Sequence, residues 1–296
     1  MLKVAIIHDS PIPTPSAKQL LTSFIKRGVE TLYLRISKLS VEVNDRGIIV
    51  NYGKHKGLTL DSAIIRGLGT ILSTEVLFKR LDVLKGLELS GVFVVNPPDA
   101  LLTARDKLLA TLKLKSCGIR VPRTTIVEDV YEAVEVVRKW GIVVIKPLMG
   151  SLGYGSVKVT DPDVVYIIAR TWLIHGQPLY IQKFTRVKER DIRVFVVGDE
   201  VLGAIYRYAP PHSWKTNVAQ GARVEKAIID EEVKEIAIKA TKALGLLYAG
   251  VDVGEDEDGY VVYEVNSAPQ WGGFMMATGI NPAERIAEFV INLLKK

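Results

Sequence analysis

The chain has 296 residues, with 39 Lys and Arg against 33 Asp and Glu for a formal charge of +6. That length holds one large or two to three small domains with an ample core, and a lone cysteine, Cys117, excludes an intrachain disulfide and points to a reducing compartment and plain helix packing. No apolar run approaches the roughly 20 residues that span a bilayer, and Met1–His8 reads as a strand and not a secretory signal, so a cytoplasmic protein with no membrane partner is expected.

The first hundred residues alternate strand and helix. Strands are predicted at Lys3–His8, near Thr31–Ile36 and Ile48–Asn51, at Ser62–Gly67 and at Val92–Val95, with helices at about Ser16–Arg27 and Thr74–Lys85. Such alternation implies a parallel, helix-covered sheet. His8-Asp-Ser-Pro-Ile-Pro follows the first strand, so the glycine fingerprint of a dinucleotide fold is absent there.

Asp99 is expected to cap one helix from about Ala100 to Ser116, closed by Gly118. Val130–Trp140 carries Ala133, Val134, Val137 and Trp140 at the spacing of one buried helix face. Ile142–Lys146 is a short buried strand, and Val157–Thr160 returns as another. The glycine-rich stretch between them, with Gly150, Ser151, Gly153 and Gly155, therefore joins two strands and opens no helix, unlike a Walker loop. A flexible glycine hairpin offers backbone N–H groups to phosphates, although by itself a structural turn is the plainer reading.

Five bases fall between Lys183 and Arg193, and Arg207, Lys215 and Arg223 follow. No aromatic residues alternate with them as a single-strand stacking platform requires. Nucleic acid is therefore not an expected partner, and a small nucleotide plus an acidic substrate explains the cluster more simply. For Arg186, Lys188 and Arg190 a solvated basic loop serves equally well.

Tyr248–Val253 and Val261–Asn266 read as two strands joined by the exposed acidic turn Glu255–Gly259. A three-residue loop with Gly259 in the left-handed position would pair Asp256 with Tyr260 and set Asp252 directly opposite Glu264. Side-chain alternation then puts Asn266 on the same face. Two acids and an amide oxygen suit magnesium, which takes one or two carboxylates plus substrate phosphates. Beyond this hairpin, Trp271 is the better candidate for a substrate contact, while Phe274 and Met275 serve equally as core. The four histidines are scattered, and no Ser/His or Cys/His pair is evident.

From Asn96 onward, about two-thirds of the chain resembles the ATP-grasp superfamily, and within it the RimK-like alpha-L-glutamate ligase group. Arg105-Asp106-Lys107 and Gly118-Ile-Arg-Val-Pro122-Arg-Thr124 are similar to the family's Asp-Lys helix and the Gly-(Ile/Val)-Pro-x-Thr run after it. Lys146-Pro147 before the glycine loop, Tyr180-Ile-Gln182-Lys183-Phe184, Asp191-Ile-Arg193, Arg207, Lys215-Thr216-Asn217 with Gly221, Asp252, and Glu264-x-Asn266 follow in family order. Two positions depart: Lys183 stands where relatives often have Glu, and Lys215 replaces an Arg, which keeps charge but loses a bidentate fork.

The resemblance implies an α/β (α+β ATP-grasp) fold: an N-terminal parallel α/β domain over residues 1–98, a central subdomain with the glycine lid over 99–181, and a C-terminal subdomain with the metal site over 182–296. It implies ATP and two Mg2+ ions, with Mn2+ able to substitute. Lys107, Lys146 and the glycine loop would meet phosphates, and Gln182, Lys183, Phe184 and Asp191 the nucleoside. Asp252, Glu264 and Asn266 would hold metal, and Arg193, Arg207, Lys215 and Asn217 would steady the forming acyl phosphate. The implied reaction joins an amino acid, foremost glutamate, to an anionic carboxylate acceptor, a cofactor or a protein terminus, in a homo-oligomer. Two alternatives stand beside it: a ligase for a different amino acid or a carrier-protein substrate, and a non-catalytic nucleotide-binding regulator.

Overall fold

The computed structural model describes residues 1–45, 47–69, 73–150, 153–185 and 188–295. The first unit comprises β1 (Lys3–His8), α1 (Pro15–Ile25), β2 (Glu30–Arg35), β3 (Leu39–Asn44), β4 (Gly47–Tyr52), β5 (Ser62–Ile65), α2 (Thr74–Leu89) and β6 (Phe93–Val95). Four of its strands form a parallel sheet in the order β2-β1-β5-β6, as the alternation predicts. The stretch near Ile48–Asn51 is no part of that sheet; it pairs with β3 as a separate antiparallel hairpin.

Two faces of the parallel sheet bury different partners, which explains why its strands are apolar throughout. Ala5, Ile7, Ala63, Ile65 and Val94 pack with α2 and with Leu39 and Val50 of the hairpin. Val4, Ile6, Ile64 and Val95 pack with α1 and with residues from the far end of the chain, among them Phe195, Ile205, Trp271, Phe274 and Ile286. The second core ties the N-terminal sheet to the C-terminal one.

One long helix is not formed after Val95. α3 (Pro98–Arg105) and α4 (Lys107–Ser116) break at Asp106, whose carboxylate caps α4 by accepting from the N–H groups of Leu108 (2.9 Å) and Leu109 (3.0 Å). Asp99 lies in the first turn of α3 and does not cap it. Cys117 is exposed at the end of α4 and takes no part in core packing.

β7 (Thr124–Val127), α5 (Val130–Trp140), β8 (Val143–Lys146), β9 (Val157–Val159), α6 (Pro162–Ile174) and β10 (Leu179–Lys183) build a four-stranded antiparallel sheet, β7-β10-β8-β9. α5 and α6 cover one face through Val143, Ile145, Leu179 and Ile181. Alternation leaves Val144, Lys146 and Gln182 on the other face. The expected boundary at 181/182 falls inside β10, which stays in this sheet through Lys183.

The remaining elements are β11 (Arg190–Val197), β12 (Glu200–Tyr208), β13 (Arg223–Ala227), α7 (Glu231–Ala243), β14 (Tyr248–Asp256), β15 (Gly259–Asn266), α8 (Gly272–Thr278) and α9 (Pro282–Leu294). Their five strands run antiparallel as β13-β12-β11-β14-β15. Ile192, Val194, Val196, Val251 and Val253 face α7, with Ala110 and Leu114 of α4 in the same core. On the opposite face, Phe195, Val197 and Ile205 join the N-terminal sheet, and Asp191, Arg193 and Arg207 continue the same alternation toward the other end. Among the described residues no helix is long and apolar enough to cross a membrane.

Asn96, fully buried where the first unit ends, fastens this joint. Its amide donates to the carbonyls of Tyr248 (2.9 Å) and Ser267 (2.7 Å) and accepts from the N–H groups of Leu247 (2.7 Å) and Tyr248 (3.1 Å). Truncation removes the partner of four backbone groups, the two of Tyr248 buried and those of Leu247 and Ser267 partly buried, and a buried group left unsatisfied costs about 1–3 kcal/mol. Asn96→Ala is therefore expected to lose about 3–4 kcal/mol in urea denaturation, and a loss below about 1 kcal/mol would contradict this account.

Candidate active site

The floor of the site is the polar end of the five-stranded sheet. Register sets Asp191 opposite Arg207, Arg193 opposite Asp252, and Asp252 opposite Glu264. Arg207 Nε and Nη2 donate to Asp191 at 2.7 and 2.8 Å, and Nη2 also reaches Asp252 Oδ1 at 3.0 Å. Arg193 donates through Nε and Nη2 to both oxygens of Asp252. Thr216 adds its hydroxyl to Asp191. Two carboxylates and two guanidiniums thus alternate across three strands.

Asp191, Arg207 and Asp252 are each no more than 5% exposed. Burial alone would raise the Asp252 pKa, but the guanidiniums of Arg193 and Arg207 outweigh it and hold the carboxyl below its usual value. Burial likewise works against the Arg207 cation, and Asp191 and Asp252 more than offset it, raising that pKa.

The opposition of Asp252 and Glu264 arises by a route different from the three-residue loop. Asp256 pairs with Gly259, so the turn is the two residues Glu257–Asp258, and Glu255 faces Tyr260. A bulge between Asp252 and Val253 then absorbs Tyr263 and restores the Asp252–Glu264 register. Val262 and Val265, three apart, both enter the core beneath. The Tyr263 ring lies over Gly254, where a Cβ would sit 2.2 Å from it.

The central sheet forms a wall. Lys146 Nζ donates to Gln182 Oε1 at 2.7 Å, and Gln182 Nε2 donates to Thr124 Oγ1 and to Tyr180 Oη, each at 3.2 Å. The backbone N–H groups of Lys183 and Phe184 bond the carbonyls of Arg123 (2.8 Å) and Ile142 (3.0 Å). In the run from Tyr180 to Phe184, those two backbone donors are therefore committed to neighbouring segments. Thr185 beside them keeps a buried Oγ1 without a hydrogen-bond partner.

The glycine loop closes the top. Lys107 Nζ reaches the Gly150 carbonyl at 3.2 Å, and Lys215 Nζ the Gly153 carbonyl at 2.9 Å. Gly153 has φ +72°, and a Cβ there would lie 2.4 Å from Asn217 Oδ1, so only glycine permits this contact. Ser151 lies outside the described residues.

These walls flank an open cleft whose empty volume, open solvent included, is about 850 Å³. Lys107, Lys146, Gly150, Gly153, Gln182, Lys183, Phe184, Asp191, Arg207, Lys215, Asn217, Asp252 and Glu264 all line it. Three expected residues do not: Arg193 is folded onto Asp252, Gly155 packs toward Pro147, and Asn266 Nδ2 leans to the Gly250 carbonyl at 3.5 Å. Trp271 is no substrate contact. It is 1% exposed, its indole N–H donates to Gln19 Oε1, and the Arg66 guanidinium stacks on its ring at 4.2 Å. Tyr154, Thr185, Trp214, Thr216 and Tyr263 line the cleft without having been singled out as site residues. Arg190 and Arg223 stack on Tyr206 and Tyr208 at 3.7 and 4.3 Å, an Arg–Tyr ladder assembled across strands that linear alternation does not reveal.

The donor set is compatible with magnesium. Among the described residues no three His, Cys, Asp or Glu side chains gather as a metal cage. Asp252 spends three of about four lone pairs on arginine donors, leaving one on Oδ2. Glu264 stands opposite it. An ion held by two carboxylates and otherwise by phosphates fits such a partial set.

Residues 104–290 match the RimK-like ATP-grasp domain model. The tetrahydromethanopterin:alpha-L-glutamate ligase of Methanocaldococcus jannaschii is 40% identical over 80% of this chain and 81% of its own length. The alpha-aminoadipate–LysW ligase LysX of Saccharolobus solfataricus is 35% identical over 71% of this chain and 78% of its own. Among solved structures, the ATP-grasp ligase PsnB, complexed with a precursor variant, Mg and ADP, superposes with a TM-score of 0.76 at 20% identity, covering 98% of each chain. That superposition shows the α+β ATP-grasp fold, and the family model and sequence relatives show that the chain belongs to the RimK-like ATP-grasp family of carboxylate–amine ligases.

Proposed function

We propose that this ligase uses ATP and Mg2+ to add L-glutamate to a carboxylate of a small cofactor. The observation that carries the reading is one cleft in which the lysines and glycine loop of the central sheet face the Asp252–Glu264 pair of the larger sheet. In this reaction the acceptor carboxylate attacks the γ-phosphoryl group, ADP leaves, and the glutamate amine then displaces phosphate from the acyl phosphate to give an amide.

Phosphoryl transfer asks a protein for alignment and charge neutralisation. Lys107 and Lys146 supply positive charge beside the glycine loop, whose N–H groups cover the phosphates. Gln182, Lys183, Phe184 and Thr185 hold the nucleoside end, and Asp191 orients Arg207. Bound Mg2+, two ions or Mn2+ in their place, would be held by Asp252, Glu264 and Asn266 and would neutralise phosphate charge. Arg193, Arg207, Lys215 and Asn217 stabilise the developing acyl phosphate. For Arg193 this requires release from Asp252, which ion binding at Asp252 favours. The first unit, the central sheet with its glycine loop and the five-stranded sheet then act as acceptor-facing base, lid and metal floor of a cytoplasmic homo-oligomer.

A second reading, in which the acceptor is a carboxylate on a carrier protein, draws on the similarity to the LysW ligase. Incubation with Mg·ATP, isotopically heavy glutamate and fractionated host extract separates the two. Label is expected in a small-molecule fraction; label confined to protein would favour the carrier. No label, with ADP formed only when another amino acid is supplied, would sink the glutamate assignment.

Glu264→Gln removes one anionic metal ligand and is expected to lower kcat/KM by at least about 100-fold, with partial recovery at high Mg2+. Unchanged turnover at low Mg2+ would remove Glu264 from the metal set. The depressed Asp252 pKa gives a further test with a definite sign. Its stabilisation is fully present above the ordinary value of 3.8 and is lost as pH falls through the lower folded value. Arg193→Ala leaves burial opposed by Arg207 alone and so raises the Asp252 pKa toward its ordinary value, and the acid-unfolding midpoint, followed by circular dichroism, should move to higher pH than wild type. A midpoint that stays put would show that Arg193 does not hold Asp252 ionised.

A further inference from the structure

The N-terminal sheet carries a cluster of charge that the reaction scheme leaves unused. Strand order β2-β1-β5-β6 reverses direction between β1 and β5, and the crevice outside the carboxyl ends of such strands is where open α/β sheets bind ligands. His8 ends β1, and Arg66 directly follows β5. Arg35, in register with His8, ends β2. Arg80 reaches in from α2, and Arg105 from the last turn of α3.

Four arginines thus surround the carboxyl ends of β1, β2 and β5, and Asp9 is the one carboxylate in an ion pair with any of them among the described residues. Arg80 pairs with Asp9 at 3.0 Å and donates to the Leu68 carbonyl. Arg66, 2% exposed, has only neutral acceptors: the Pro269 carbonyl at 2.7 Å and the hydroxyls of Ser16 and Tyr248, both at 3.2 Å. Arg105 bonds the Gly69 carbonyl at 3.2 Å. The Nε–H groups of Arg35, Arg66 and Arg105 are all buried without an acceptor, half of the six such buried side-chain atoms among the described residues. Buried donors are ordinarily satisfied and buried charges paired, so three stranded guanidinium N–H groups at one sheet edge call for anionic acceptors. Planar guanidiniums bind carboxylate and phosphate in bidentate fashion.

This crevice shares a wall with the metal strand. Pro269, which accepts from Arg66, lies three residues beyond Asn266. A Cβ on Gly250 would sit 2.8 Å from Pro269 Cβ and 3.2 Å from Arg193 Nη1. Arg66, Pro269, Gly250 and Arg193 are therefore contiguous, so the arginine edge adjoins the strand that carries Asp252.

We infer that the carboxyl edge of the N-terminal sheet is an anion subsite, formed by Arg35, Arg66, Arg80 and Arg105, that holds a second acidic group of the acceptor. Resting on the ligase reading, this makes the acceptor at least a dianion: one carboxylate is activated in the cleft while another carboxylate or a phosphate is gripped here. A neutral acceptor tail would leave the Nε–H groups of Arg35, Arg66 and Arg105 as they are now, without an acceptor.

The experiment reads the donors directly. The arginine Nε–H resonances of the full chain are followed by 1H–15N NMR during titration with glutarate and, separately, with inorganic phosphate. Saturable shifts of the Arg66 and Arg105 signals are expected, and the better of the two anions identifies the acid as carboxylate or phosphate. Arg80→Gln and Arg35→Gln should each weaken that binding by at least about tenfold, while their Mg·AMPPNP affinity, measured alongside, stays within about twofold of wild type. The inference is overturned if neither anion moves these resonances in the wild type, or if the shifts survive undiminished in both variants. Failure of the ligase reading would look different: anion shifts intact at this edge, but no ATP-dependent incorporation of any amino acid.

Discussion

The site depends on one arrangement, the buried alternation of Asp191, Arg207, Asp252 and Arg193 across β12, β11 and β14. Taking such charges out of water costs several kcal/mol per ion, and their mutual attraction offsets this only when geometry is good and hydrogen bonds are complete. Antiparallel register supplies that geometry by placing Asp191 against Arg207 and Arg193 against Asp252. The network is close to neutral as it stands, so it adds little net field to the cleft. What it adds is placement: Asp252 keeps one lone pair open on Oδ2, and Glu264 stands opposite it in register.

Everything else either holds this floor or faces it. The same sheet face turns apolar at Phe195, Val197 and Ile205, so the strands that carry the charges are anchored in the core shared with the N-terminal sheet. Asn96 and Arg66 fasten the backbone around β14 and just beyond β15 from that side. The central sheet contributes the opposite wall, and its glycine loop meets the floor through Lys215 and Asn217. Lys215 is a single point charge reaching one carbonyl, a contact that an ammonium on a flexible stem makes and releases more readily than a bidentate guanidinium would.

Much of this was legible before the structure, because periodicity and punctuation were locally consistent. The parallel sheet followed from apolar strands alternating with helices, and the glycine hairpin from strands on both sides of it. The misreadings share a cause in tertiary context. Trp271, between polar and glycine neighbours, looked exposed, yet it is sandwiched between Arg66 and the N-terminal helix through Gln19. Asp106 breaks a continuous helical pattern because its carboxylate competes for the next turn's N–H groups. The bulge at Tyr263 had a signal in the partner strand: Gly254 inside an apolar run, where a missing side chain marks close approach. The arginine edge of the N-terminal sheet gave none, since Arg35, Arg66, Arg80 and Arg105 converge only through topology.

That convergence changes how the positive charge of the whole chain is read. The sequence directs attention to the bases from Lys183 to Arg223, where most of them prove to be engaged. Arg190 and Arg223 stack on tyrosines, Lys188 and Arg190 meet Glu255, and Arg193 and Arg207 are neutralised by aspartates. The less balanced charge lies in the N-terminal unit, where the sequence offered no dinucleotide fingerprint and the family resemblance was weakest. With the floor neutralised and three buried guanidinium N–H groups beside it lacking acceptors, the inferred anion subsite would make charge the basis on which the acceptor is chosen.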